Sequence, residues 1–251
     1  MSDILLNIIQ QKETILVLSL DVSNKTDFFR ILKECAPYIC ALKLHFELYP
    51  FLKGKTHKKL IHYSKQYNFI IIEDRKFADI GNTQYLQATE FMKKGISYFT
   101  SHLFTGKEAL CAFPEQAKIF LISDMSCKNA FFLDNSVELK SIIHKKSIDY
   151  YKTIPQIIGF VSQYDINKDN KGIILRPGVK LKRNNSNKQE DTLGQQYKHP
   201  EVIPNVCWVV GRDIYQSDNP GNIAKQYQEL FKKNKNIWFK KSNLTARISI
   251  L

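Results

Sequence analysis

The sequence predicts a (β/α)8 barrel forming a single domain, on three observations. Eight short, β-branched-rich apolar runs recur, at residues 14–21, 39–46, 69–76, 98–104, 118–125, 157–164, 172–179 and 206–213. Between most of them lie segments of helical period, and strand-then-helix alternation implies a parallel sheet. Eight such units in 251 residues suit one barrel whose interior is filled by branched side chains. A doubly wound open sheet is the alternative arrangement. No linker, internal repeat or break in composition marks a second domain.

Taken in order, the first run ends on Asp21 and is followed by Phe28, Ile31, Leu32 and Cys35 at helical spacing. The second carries Lys43. The third opens with the apolar residues 69–72 and passes directly into Glu73-Asp74-Arg75-Lys76-Phe77-Ala78-Asp79-Ile80-Gly81-Asn82-Thr83. The run at 118–125 leads to Ser126, and Leu139, Ile142, Ile143 and Ile148 form the next helical stripe. After Tyr164 the gap to Lys171 is too short for a full helix, so this unit crosses over with about one turn or less. The last two runs end in Arg176-Pro177-Gly178-Val179 and Val210-Gly211-Arg212-Asp213. Tyr227, Leu230 and Phe231 close the series.

In barrels the reacting groups sit on strand C-termini and the loops that follow. Asp21, Lys43, Asp74, Lys76, Asp79 and Ser126 all fall there. On a regular strand Asp74 and Lys76 project to one face, with Asp79 just beyond the strand end. A charged run in isolation is ordinarily a surface salt-bridge cluster; burying these charges costs several kcal/mol per ion unless they are paired. Loops after the seventh and eighth strands commonly bind phosphate. Gly178 and Gly211 allow close backbone approach there, and Arg212 offers a fork of donors.

Composition narrows the setting. The chain is 43% hydrophobic and 24% charged, as in soluble globular proteins. Its five cysteines lack C-x-x-C spacing, which argues against a disulfide framework and for a reducing, cytoplasmic location. No stretch approaches the roughly 18 apolar residues of a membrane span. The net charge of +13 fits an anionic substrate, nucleic acid or a lysine-rich bias equally. The segment 232–241 holds five lysines around Trp238 and Phe239. It reads as a basic C-terminal tail from about residue 232 rather than a nucleic-acid module. No metal site is expected: His57 and His62 miss the i, i+4 spacing of a zinc pair. A calcium-like opening at Asp165 lacks the glycine and the final glutamate of that loop.

These blocks, with Ser19-Leu20-Asp21-Val22, Leu42-Lys43-Leu44-His45 and Leu193-Gly194-Gln195-Gln196-Tyr197, resemble the signature of orotidine 5′-monophosphate decarboxylases, TIM barrels of the eukaryotic-style branch. The resemblance spans residues 19–212. It implies a cofactor-free carboxy-lyase, either a monofunctional enzyme or a decarboxylase domain separated from a longer synthase, that converts orotidine 5′-monophosphate to uridine 5′-monophosphate (UMP). The catalytic tetrad falls on Lys43, Asp74, Lys76 and Asp79. Asp21 and Lys43 would hold ribose hydroxyls, Ser126 the pyrimidine, and Pro177, Gln195, Tyr197, Gly211 and Arg212 the substrate around its phosphate. Asp79, Ile80 and Thr83 would reach into the neighbouring site of a homodimer.

The stretch 180–192, rich in Asn and Lys, has the composition of a lid. A magnesium-dependent sugar-phosphate decarboxylase shares the Asp-x-Lys-x-x-Asp pattern, but Lys43 stands where an acidic metal ligand would be and would repel Mg²⁺. A non-catalytic basic barrel binding nucleic acid is the reading from another class. Leu44, Arg176, Asp213, Asn129 and Ala130 depart from the family pattern. Asp213, beside Arg212, is expected to turn away from the phosphate site.

Overall fold

The computed structural model describes residues 4–127, 137–166, 172–181 and 195–240. The lid stretch from 182 onward, Asn129 and Ala130, Leu193 and Gly194, and the chain after residue 240 lie outside them. All eight apolar runs form strands: β1 (Leu16–Ser19), β2 (Ala41–Leu44), β3 (Ile70–Phe77), β4 (Tyr98–His102), β5 (Lys118–Ile122), β6 (Ile157–Val161), β7 (Ile173–Arg176) and β8 (Val206–Val210). They follow one another in sequence order around a closed barrel, and the strand pairs described are parallel. The helices are α1 (Ile4–Lys12), α2 (Lys25–Cys35), α3 (Gly54–Gln66), α4 (Gly81–Lys93), α5 (Lys107–Cys111), α6 (Val137–Thr153), α7 (Arg212–Tyr215) and α8 (Pro220–Lys240). Among the described residues no helix separates β6 from β7.

The chain divides into two compact units, residues 1–71 with 200–251, and residues 72–199. In the first, β1 pairs with β2 and β8, and all its side chains are buried. Helix α2 starts where Asn24 accepts hydrogen bonds from the amides of Thr26 and Asp27, satisfying donors that the first turn leaves open. Its stripe Phe28, Ile31, Leu32 and Cys35 is buried as the 3.6-residue period requires. The basic segment starting at Lys232 continues α8. Trp238 within it is 1% exposed and donates its indole N–H to the Val206 carbonyl at 3.0 Å. A ring so placed is core, not a stacking platform.

In the second unit β3 to β7 pair in order. Phe77, Phe99 and Phe113 pack edge to face with centroids 5.3 to 5.5 Å apart from Phe77, filling the space behind β3 and β4. Gly159 on β6 is required by close approach: a Cβ there would lie 2.0 Å from the Ile173 carbonyl oxygen on β7. Helix α6 carries the predicted stripe with Ile143 buried, but Ile142 faces solvent.

Candidate active site

The second unit brings Asp74 and Lys76 together. The Lys76 ammonium lies 2.9 Å from Asp74 Oδ2 and also donates to the Asp74 carbonyl at 3.3 Å. Asp74 is 5% exposed, so its charge is held in a site where pairing is much stronger than at the surface. Regular strand alternation does not produce this contact. The β3–β4 register shifts between Glu73 and Phe77, and Lys76 has φ of +56°, the left-handed region that a side-chain-bearing residue adopts at a cost. The amide of Lys76 points instead to the Thr100 hydroxyl on β4, 3.1 Å away. That hydroxyl donates to Asp74 Oδ1 at 2.8 Å.

At the end of β4, His102 rests 5.0 Å from the Phe104 ring, its Nδ1 buried with no hydrogen-bond partner among the described residues. Burial, and then the Lys76 charge, push its pKa below the usual histidine value, against a smaller pull upward from Asp74. Beyond β3, Asp79 is exposed and its carboxylate accepts from the Ile80 amide at 2.8 Å. Its carbonyl accepts from the Gln84 amide side chain at 2.7 Å, which fixes the start of α4. Ile80 is 71% exposed, and Thr83 is half-buried in the first turn of α4.

Ser126 and Gln195 also meet. The Ser126 hydroxyl donates to Gln195 Oε1 at 3.1 Å, and the Gln196 amide donates to the Ser126 carbonyl at 3.1 Å. Cys127 and Gln195 form an isolated antiparallel bridge. After β7, Pro177 leads to Gly178 at φ +70°, where a Cβ would meet the Gln196 carbonyl oxygen at 2.2 Å and Gln195 Nε2 at 2.8 Å. The Lys198 amide donates to the Gly178 carbonyl at 2.7 Å, and Tyr197 between these contacts has the Lys180 ammonium 5.5 Å from its ring centroid. Arg176, one of the departures, is buried and paired with Asp165.

Behind this segment Asp124 and Gln163 are each 1% exposed, and Asp124 Oδ2 accepts from the Gln163 amide at 3.2 Å. Burial raises the Asp124 pKa above the ordinary carboxylate range.

In the first unit, Lys43 lies on β2 with Ser19 of β1 as its register partner, and the Ser19 hydroxyl donates to Asp21 Oδ2 at 3.3 Å. Gly211 follows β8, and a Cβ there would stand 3.1 Å from the Ser19 carbonyl oxygen. Arg212 opens the short helix α7, so the last apolar run stops as a strand at Val210. Asp213 turns toward α8: it is 8% exposed and Oδ2 accepts the Tyr227 hydroxyl at 2.7 Å.

Sequence reasoning missed Thr100, Asp124 and Gln163. The available signal was a hydrogen-bonding side chain inside or at the end of an otherwise apolar run, since a buried polar group must find a partner.

A parallel eight-stranded barrel carrying a buried carboxylate paired with a lysine on its third strand belongs to the (β/α)8 class. Residues 14–227 match the sequence model of the orotidine 5′-phosphate decarboxylase / HUMPS family. The chain is 30% identical over 246 residues to the orotidine 5′-phosphate decarboxylase of Rhizomucor pusillus, covering 90% of this chain and 87% of the relative. Identity to the Pichia kudriavzevii protein of the same name is 30% over 244 residues, covering 90% and 89%. The fold is that of the Methanocaldococcus jannaschii orotidine 5′-monophosphate decarboxylase solved with the inhibitor BMP. The TM-score is 0.64 at 23% identity, over 86% of this chain and 97% of that one. The chain belongs to the orotidine 5′-phosphate decarboxylase / HUMPS family.

Proposed function

We propose that this chain is a carboxy-lyase that decarboxylates orotidine 5′-monophosphate to UMP, the last step of de novo pyrimidine synthesis. The observation that carries the reading is the Asp74–Lys76 pair at 2.9 Å on β3, in a chain of this family. Breaking the bond from C6 to the carboxylate releases CO2 and leaves an electron pair on C6 that no adjacent carbonyl delocalises. Lys76 stabilises that charge and then delivers a proton to C6, regaining one from solvent. A preorganised ammonium needs little reorganisation as the charge develops. At ~4 Å and an effective dielectric near 20 it contributes roughly 4 kcal/mol, well short of the up to ~23 kcal/mol that enzymes supply. The remainder falls to substrate binding through the phosphate, which orients the ring without reacting. Asp74 keeps Lys76 charged and oriented.

Lys43 and Asp79 complete the charged tetrad in this reading. Asp21 and Lys43 take the ribose hydroxyls and Ser126 the ring. Pro177, Gln195, Tyr197, Gly211 and Arg212 surround the phosphate end. Asp79, Ile80 and Thr83 serve the neighbouring site of a homodimer. Supporting the dimer, Asp79 is exposed and Ile80, Tyr85, Leu86 and Phe104 are exposed apolar side chains of the same unit, a composition expected of an interface. Among the described residues no helix is long and apolar enough to cross a membrane. A cytoplasmic location fits the free cysteines.

The test follows the loss of orotidine 5′-monophosphate absorbance with purified protein and no added metal, beside Lys76→Ala. Turnover by the wild type that disappears in the variant is the expected result. An inert wild type that still binds UMP would overturn the catalytic assignment while leaving the nucleotide site standing.

A further inference from the structure

Thr100 is 0% exposed in the middle of β4 and has no apolar reason to be there as a threonine rather than a valine. Its one hydroxyl makes two contacts with the candidate catalytic pair. It donates to Asp74 Oδ1 at 2.8 Å and accepts the Lys76 amide at 3.1 Å. The other Asp74 oxygen meets the Lys76 ammonium, so the carboxylate is clamped between Thr100 on one side and its lysine on the other.

The second contact bears on the Lys76 backbone. Among the described residues four other than glycine have positive φ, and Glu13, Asn68 and Asn205 lie in connections between elements. Lys76 alone of these lies inside a strand, at the register shift. A left-handed residue that bears a side chain is strained and persists when surrounding structure over-determines it. Within the shifted segment the Lys76 amide goes to the Thr100 side chain. The same hydroxyl therefore sets the backbone from which the ammonium extends and the carboxylate on which it rests.

We infer that Thr100 is a positioning residue for decarboxylation: acting through Asp74 and Lys76, it holds the Lys76 ammonium where the carbanion forms. It does not touch the substrate in this role. The assignment requires a group that donates and accepts at once, which a hydroxyl does and a methyl does not. It rests on the decarboxylase reading above, so the controls separate the two.

The experiment compares wild type, Lys76→Ala, the near-isosteric Thr100→Val and the conservative Thr100→Ser, measuring kcat, KM and the UMP dissociation constant. Thr100→Val is expected to lower kcat about 10- to 100-fold, the factor corresponding to one lost hydrogen bond to a charged group. KM and UMP affinity should stay within about twofold, because the change acts on the reacting charge and not on the remote binding groups. Thr100→Ser should recover kcat to within about threefold of wild type. Thr100→Ala replaces the valine variant should that one fail to fold. Wild-type kcat in Thr100→Val, or a rise in KM with kcat unchanged, or no recovery in Thr100→Ser, would each overturn the role of Thr100. An inactive wild type would instead strike at the decarboxylase reading itself.

Discussion

The hydroxyl of Tyr227 on α8 donates to Asp213 Oδ2 at 2.7 Å, and both side chains are buried. A carboxylate next to Arg212 in sequence is thereby turned toward the helix layer. Tyr227→Phe deletes the donor while keeping the ring, and is expected to cost about 1–3 kcal/mol, the penalty of a buried acceptor losing its hydrogen bond. Urea denaturation with an unchanged m-value checks it. Asp213→Asn, which keeps an acceptor without the charge, should cost less.

Gly178 tests the segment that carries Gln195 and Tyr197. Its φ of +70° and the 2.2 Å approach a Cβ would make to the Gln196 carbonyl leave no room for alanine. Gly178→Ala should lower stability by about 1–3 kcal/mol through forced backbone movement. It should also weaken UMP binding, since the displaced residues belong to the proposed phosphate set. Isothermal titration with UMP reads the second effect; an unchanged dissociation constant would separate this segment from the nucleotide site.

Trp238 anchors the end of α8 beneath β8 through its bond to Val206. Trp238→Ala should cost about 3–5 kcal/mol, as for other fully buried large aromatic side chains. Lys232→Gln on the exposed side of the same helix should stay within about 0.5 kcal/mol. Equal, small effects of both in thermal melts would contradict a core role for this ring.

The pKa of His102 should be low and responsive to its charged neighbours. Histidine NMR titration is expected to place it below the ordinary value of about 6.5. Lys76→Met should raise it by removing a repelling charge, and Asp74→Asn should lower it further. The unfolded chain takes up the proton near pH 6.5 while folded His102 resists it, so the unfolded state binds more protons below that pH. Stability therefore falls as the pH drops from about 6.5 toward the folded value, and no penalty exists above it. His102→Gln should flatten that part of the stability curve.

Much of the fold was legible because burial selects residues in a way periodicity detects. Seven of the eight apolar runs enclose their strands, and the third strand runs one residue further, to Phe77. Positions were less legible where a local rule met a tertiary constraint. Alternation puts Asp74 and Lys76 on one face of an ideal strand, yet they meet through a register shift and a left-handed residue. Thr100 left only a faint trace because its partners lie 24 and 26 residues away in sequence. Ile142 satisfies the helical stripe on paper but faces solvent, since a stripe fixes a helix face only to within about one side chain.

The left-handed turn at Lys76 has a bearing on the order of folding. Nothing near it in sequence favours that conformation: it is neither glycine nor asparagine, and the group that receives its amide comes from the next strand. Until β4 pairs with β3, the Lys76 amide lacks the hydroxyl that receives it in the folded chain. The reactive arrangement is written by strand pairing, and a fragment ending before Thr100 would carry every residue of the charged run without their geometry.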